Sequence, residues 1–344
     1  MTLELLLRPD VPGDLLALLS LRGTFVFGVA ALLSVLGGRR APALERGLLR
    51  GTFAAYAVVV LFTVFPVFAG VSTLTVGSFT RTGLGDPTTP PLSGWPIVLW
   101  ATGAALVVVR LGVGNGVARW RTRASRSVPT PVSLQDRVSS LARQRGLRRR
   151  VRVVVGSGLT TPATWGTLRP TLFLPVTCLS MDRSRLEAVI HHELEHVRAF
   201  DAAGAWLVAV AEATLWFHPL VHWIVRRFDD AKEFSSDRAA VSSSGDPVAY
   251  AETLLHFGAL ARERSAAAAG AAFARSGRLE ERIRRIVSAP SADRPIGATA
   301  PGLAVVLIVT VALIVTVALA LSVRATWSIT VENGDSRPPV EASR

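Results

Sequence analysis

The stretch His191-His192-Glu193-Leu194-Glu195-His196 contains the pattern His-Glu-x-x-His, and the rest of the chain is read outward from it. Positions four apart share one face of an α-helix, so His192 and His196 can offer two imidazole nitrogens to one zinc ion. Glu193 would then lie beside the metal, placed to take a proton from a water that the ion acidifies. The same five residues also describe a plain polar helix face, since such matches occur in unrelated helices. A second helical signal follows in Asp229-Asp230-Ala231-Lys232-Glu233-Phe234-Ser235-Ser236-Asp237. Glu233 and Asp237 are again four apart. A Glu ligand with an Asp one turn later suits a two-His, one-Glu site in which the Asp holds a ligand histidine by its second ring nitrogen. Solvated helix charge is the bland alternative for this pair.

Half of the 344 residues are hydrophobic, and several apolar runs are too long for a water-soluble core, which indicates an integral membrane protein. The formal charge of +13 comes almost wholly from arginine, with Lys232 the only lysine, so its placement along the chain carries the information. The single cysteine, Cys178, excludes an internal disulfide and a thiolate metal site, and is expected to pack as a small apolar side chain. Glu4, Asp10 and Asp14 replace the positive leader of a secretory signal peptide, so the first apolar run is expected to remain in the mature protein.

Four transmembrane helices are expected. The first is Leu15 to Leu36, about 33 Å of helix at 1.5 Å per residue, with Arg22 obliged to snorkel or to face other helices. The second is Leu48 to Ala69, the third Trp95 to Leu111, and the fourth Gly302 to Val323. The loop after the first span carries Arg39, Arg40, Arg46 and Arg50 against Glu45 alone, and Arg119, Arg121, Arg123 and Arg126 follow the third. The positive-inside bias makes both of these cytoplasmic. Hence the expected division is an outer N-terminus (1–14), a three-span membrane region (15–114), a cytoplasmic α+β zinc protease domain (115–301), the fourth span (302–323) and a short outer tail (324–344). Both termini would lie outside a cell membrane crossed several times.

Within the large inner segment, Ser133 to Arg145 has Leu134, Val138 and Leu141 at helical spacing and stops at Gly146. Arg148 to Val155 and Thr167 to Leu174 read as strands, and Pro170 restricts the second to a sheet edge. Such an edge can accept an extended substrate, or be an ordinary edge. Ser184 and Glu187 form a capping box leading into the metal motif. Asp201 would end or cap that helix and serve in salt bridges. Ala202 to Val225 is nearly apolar, yet a single crossing would leave Glu233 across the bilayer from His192. We therefore expect a membrane-associated helical hairpin at 202–225, turning near His218-Pro219, with Trp206, Trp216 and Trp223 at the interface.

His191, His218 and His222 compete as metal ligands and read as structural or interfacial histidines. Tyr250 and His256 could polarise a substrate carbonyl or simply pack a helix from Ala249 to Leu260. Arg278, Arg282, Arg284 and Arg285 read as a solvated cluster facing anionic lipid.

Taken together, Pro162-Ala163-Thr164-Trp165-Gly166, Leu168-Arg169-Pro170 to Leu174-Pro175, His192 to Asp201, Phe217-His218-Pro219-Leu220-Val221, Glu233 to Asp237 and Tyr250-Ala251-Glu252 resemble the BlaR/MecR family of membrane-embedded, gluzincin-type metallopeptidases. The resemblance implies one zinc ion per chain on His192, His196 and Glu233, with Glu193 as catalytic base and Asp237 behind a ligand. It implies hydrolysis of a cytoplasmic protein, typically a winged-helix transcriptional repressor, or of the chain itself, in a signalling pathway; the bilayer is the other partner, and an oligomer is compatible with the layout. The best-known members carry a penicillin-binding sensor domain after the fourth span, which is not expected here. A quality-control protease of the HtpX kind is the related alternative, although its two spans between the ligands are not available. An inactive receptor or scaffold is opposed by the intact Glu193. A DNA-binding regulator is opposed by the lack of helix-turn-helix or zinc-finger spacing, so no direct nucleic-acid contact is expected.

Overall fold

The computed structural model describes residues 11–37, 42–68, 95–124, 127–157, 160–264 and 269–288. The fourth candidate span, the tail at 324–344 and the loop at 69–94 lie outside the described residues, as do the first ten. Three long helices come first: α1 (Val11–Gly37), α2 (Pro42–Phe68) and α3 (Trp95–Ala124). Leu16–Leu36, Pro42–Val64 and Ile97–Gly114 within them are long and apolar enough to cross a membrane. Each closes its backbone hydrogen bonds internally, as a chain in hydrocarbon must. Their outward faces carry Leu21, Leu32, Leu61, Phe62, Leu106 and Val109. Arg22 faces inward across the pair, where its Nη1 donates to Thr63 Oγ1 at 2.7 Å.

After these come β1 (Ser127–Val128), α4 (Val132–Gln144), β2 (Arg152–Gly156), β3 (Ala163–Trp165), β4 (Thr171–Pro175) and a 3₁₀ turn at Val176–Ser180. Then follow α5 (Arg183–Arg198), α6 (Asp201–Thr214), α7 (Pro219–Ser244), α8 (Pro247–Arg264) and α9 (Ala269–Ser288). The sheet runs β1-β2-β4-β3, with β2 and β4 parallel and the outer pairs antiparallel.

That order corrects the expectation of an edge strand over Thr167 to Leu174. Pro170 stands just before β4, where its missing N–H removes no ladder bond, so Thr171–Pro175 pairs on both sides and buries Leu172, Phe173 and Leu174. The strands with one neighbour are β1 and β3, and β3 is the one on the β4 side. The capping box is corrected as well: Asp182 caps α5, accepting the backbone N–H of Arg185 at 2.9 Å, and Ser184 lies inside the helix.

One apolar cluster joins the sheet to α4 and α5 through Val138, Val155, Leu172, Ile190 and Leu194. A second joins α1, α2, α6 and α7 through Phe27, Phe53, Tyr56, Leu215 and Phe228. Helix α7 belongs to both halves of the molecule. Its first turns bury Val221, Ile224 and Phe228 among the apolar helices, while its later turns bury Ser235, Ser236 and Asp237 beside α5. A fully buried phenylalanine contributes roughly 1.5–3 kcal/mol by area. The apolar stretch from Ala202 is thus divided between α6 and α7, broken at residues 215–218 where Pro219 starts the next helix at its first turn. Helix α3 meets this turn closely: a Cβ on Gly103 would lie 2.2 Å from the Trp216 ring. Gly103→Ala is therefore expected to lower stability by about 1–3 kcal/mol, outweighing the helix propensity gained, as read from unfolding in detergent.

Candidate metal centre

Helix α5 places His192 and His196 one turn apart, and their Nε2 atoms are 3.2 Å from one another. Glu233, from α7, reaches in from the opposite side, with its carboxylate oxygens 3.8 Å from His192 Nε2 and 3.9 Å from His196 Nε2. One ligand atom from each residue lies within 4.8 Å of the other two. These are the three side chains expected from the sequence to converge, and α5 and α7 bring them together.

The other ring nitrogens are held from behind. His196 Nδ1 lies 2.6 Å from Asp201 Oδ2. His192 Nδ1 lies 3.1 Å from Asp237 Oδ1 and 2.9 Å from the Tyr250 hydroxyl, which itself donates to Asp237 at 2.9 Å. With each Nδ1 facing a carboxylate, the proton of the neutral ring belongs there, and the Nε2 lone pairs face the shared space. Two lone pairs 3.2 Å apart repel; a cation between them removes the repulsion, and the Glu233 carboxylate supplies the negative charge such an ion needs. The donor set therefore fits a divalent metal.

Carboxylates of this density require positive partners. Arg282, from α9, donates to Glu233 Oε2 at 2.8 Å and to both oxygens of Asp237 at 2.6 and 2.8 Å. Burial raises the pKa of Asp237 and of Glu233, but Arg282 and the imidazoles outweigh it and hold both below the usual carboxylate range. Arg282 is not part of a lipid-facing cluster: pairing with the site removes it from solvent. Nothing local in the sequence marks this, because its partners are 45 and 49 residues away.

Glu193 stands apart from this pairing. Burial pushes its carboxyl up to about 7, nearby Glu233 adds to the effect, and His196, Arg282 and a hydrogen bond from Thr164 oppose it. Thr164 is on β3, so an edge strand of the sheet touches the carboxylate expected to act as base. The nearby Cys178 thiol is buried and pushed up to about 12, a neutral packing group.

The competing histidines are occupied elsewhere. His191 Nδ1 accepts from Arg145 at 2.6 Å, and burial with that cation lowers its pKa to about 4. His218 Nε2 pairs with Thr24 Oγ1 at 2.9 Å, and His222 Nε2 with the Trp216 carbonyl at 2.6 Å. His256 is exposed beside Phe257. Tyr250 is buried against Asp237 and His192 rather than free to meet a substrate carbonyl. Asp201 does not end α5. It begins α6 after Phe200 adopts a left-handed conformation (φ 56°), and this tight reversal returns the carboxylate to His196.

The centre opens into a cavity of about 1660 Å³, lined on one side by Thr164, Trp165 and Gly166 of the sheet and on the other by Val108, Leu111 and Trp206 of the apolar helices. Residues 93–286 match the BlaR1 peptidase M56 family. The chain belongs to that family. It is also similar to the Regulatory protein BlaR1 of Bacillus licheniformis, at 25% identity over 136 residues. The alignment covers 39% of this chain and 23% of that protein, so less than a quarter of the relative's length is matched.

Removing Arg282 would take the guanidinium from buried Asp237 and from the part-exposed Glu233. Arg282→Met is expected to destabilise the fold by about 3–5 kcal/mol, measured as a lower denaturant midpoint of the purified chain.

Proposed function

We propose that the protein is a membrane-embedded zinc metalloendopeptidase that hydrolyses a peptide bond of a cytoplasmic protein at the inner membrane face. The observation that carries this reading is the convergence of His192, His196 and Glu233 with a buried, proton-ready Glu193 at one end of a peptide-sized cavity. His192, His196 and Glu233 would hold one zinc ion, with Asp237 and Asp201 fixing the ligand rings. When bound, the ion would supply Lewis acidity to the attacking water and to the scissile carbonyl.

Glu193 performs the proton work. Its carboxylate takes a proton from the water as oxygen adds to the carbonyl carbon, then delivers that proton to the amide nitrogen as the C–N bond breaks. A group titrating near neutrality suits both halves of that exchange. An extended substrate would lie along β3, the edge strand beside Glu193, where main-chain hydrogen bonds can hold it across the site.

The family supports a signalling role in which the cut protein is a transcriptional repressor or the chain itself. The cavity's wall of α3 and α6 residues supports a substrate segment presented close to the bilayer. The inner segment between α3 and the candidate fourth span would then be cytoplasmic, with both termini outside.

Glu193→Gln is expected to keep stoichiometric zinc while lowering turnover by about 10²–10⁴-fold, the range for losing a general base. His196→Ala and Glu233→Ala should lose both. Metal content of the purified proteins and the cleavage products in membranes carrying each variant provide the comparison; undiminished proteolysis by Glu193→Gln would refute the base assignment. Asp237→Ala is expected to weaken zinc binding about 10- to 100-fold, read by chelator competition.

A further inference from the structure

Arg46 belongs to α2, in a stretch apolar enough to cross a membrane, yet it is 3% exposed and surrounded by the helices that build the metal centre. Its Nε donates to Asp201 Oδ1 at 3.0 Å and its Nη2 to Asp201 Oδ2, a two-point grip on the carboxylate that faces His196 Nδ1. Its Nη1 donates at 2.6 Å to Ser235, two residues beyond Glu233, and lies 3.5 Å from Glu195 on the motif helix. One guanidinium thus touches α5, α6 and α7 at once. Asp201 is nearly buried, and the two-point grip fixes the plane of the carboxylate that meets His196 Nδ1.

We propose that Arg46 is a positioning residue of the metal centre, through which the second apolar helix sets the orientation of His196. The inference rests on the zinc reading of the site and extends it to a residue far from the ligands in sequence. Bidentate geometry tolerates little displacement. A shift of α2 by about 1–2 Å, the scale of helix movements in switching proteins, separates the guanidinium from Asp201 and releases the ring behind it. Arg50, one turn along α2, reinforces the attachment by donating to the Ala199 carbonyl at the end of α5.

The test is zinc affinity of the purified full chain in detergent, by chelator competition, alongside thermal unfolding of the metal-free protein. Arg46→Met is expected to weaken zinc binding about tenfold, within the range for groups supporting a ligand from behind. Arg46→Lys, which keeps the charge without the fork, should lose part of that and carries the measurement if Arg46→Met does not fold. Added to Asp201→Asn, Arg46→Met should change affinity less than about twofold, because the grip has no carboxylate left to orient.

Arg227 provides the control for a merely structural role. It pairs with Glu45 at 2.5 Å between α7 and α2 and also donates to Ser34, and neither partner belongs to the metal centre. Arg227→Met should lower the unfolding temperature and leave zinc affinity unchanged. Folded Arg46 variants with wild-type affinity, losses additive with Asp201→Asn, or an equal loss in Arg227→Met would each overturn the proposal. Wild-type protein that holds no zinc would instead refute the metal reading itself, and this inference with it.

Discussion

Burying carboxylates is costly unless positive charge is fixed beside them, and this requirement shapes the centre of the molecule. Asp201, Glu233 and Asp237 lie around two imidazoles, and Glu195 is buried on the helix that carries both. Arg46, Arg145 and Arg198 converge on Glu195, Arg46 also holds Asp201, and Arg282 holds Glu233 and Asp237. Glu193 faces the cavity without such a grip, and burial accordingly pushes it toward its protonated form. The difference between these two kinds of carboxylate separates the groups suited to holding a ligand in place from the one suited to moving a proton.

These arginines come from opposite ends of the described chain. Arg46 arrives on an apolar helix before the sheet, and Arg282 on the last described helix. The centre is therefore closed by elements outside the motif helices, and it cannot be assembled from α5 and α7 alone. Helix α7 ties the site to the apolar helices by packing rather than by charge. Phe228 anchors it among Phe53 and the other apolar side chains, about two turns before Asp237 reaches His192. A displacement within the apolar helices has a rigid path to the ligands through α7 and a charged one through Arg46.

The cavity gives the same arrangement a functional direction. Its lining includes the edge strand β3, apolar residues of α3 and α6, and α8, so a polypeptide lying in it would meet backbone groups of a strand edge as well as apolar side chains. A water-soluble protease would expose that apolar lining at some cost, whereas a protein whose α1 to α3 are long and apolar enough for a bilayer can place it against lipid.

Local regularities were legible from the residues alone. His192 with His196, and Glu233 with Asp237, repeat at four, and helical geometry converts that spacing into a shared face without help from the rest of the chain. The first three long apolar runs announced their helices in the same way. Tertiary structure decided what depends on partners distant in sequence. It placed Thr171–Pro175 inside the sheet although Pro170 suggested an edge, because the proline stops one residue short of the ladder. It drew Arg282 out of a run of similar arginines, turned Tyr250 toward Asp237, and brought Arg46 across 155 residues to Asp201. Spacing fixes which side chains share a surface, but only packing determines which surface comes to face them, since charge pairing acts through space and carries no signature in the order of the chain.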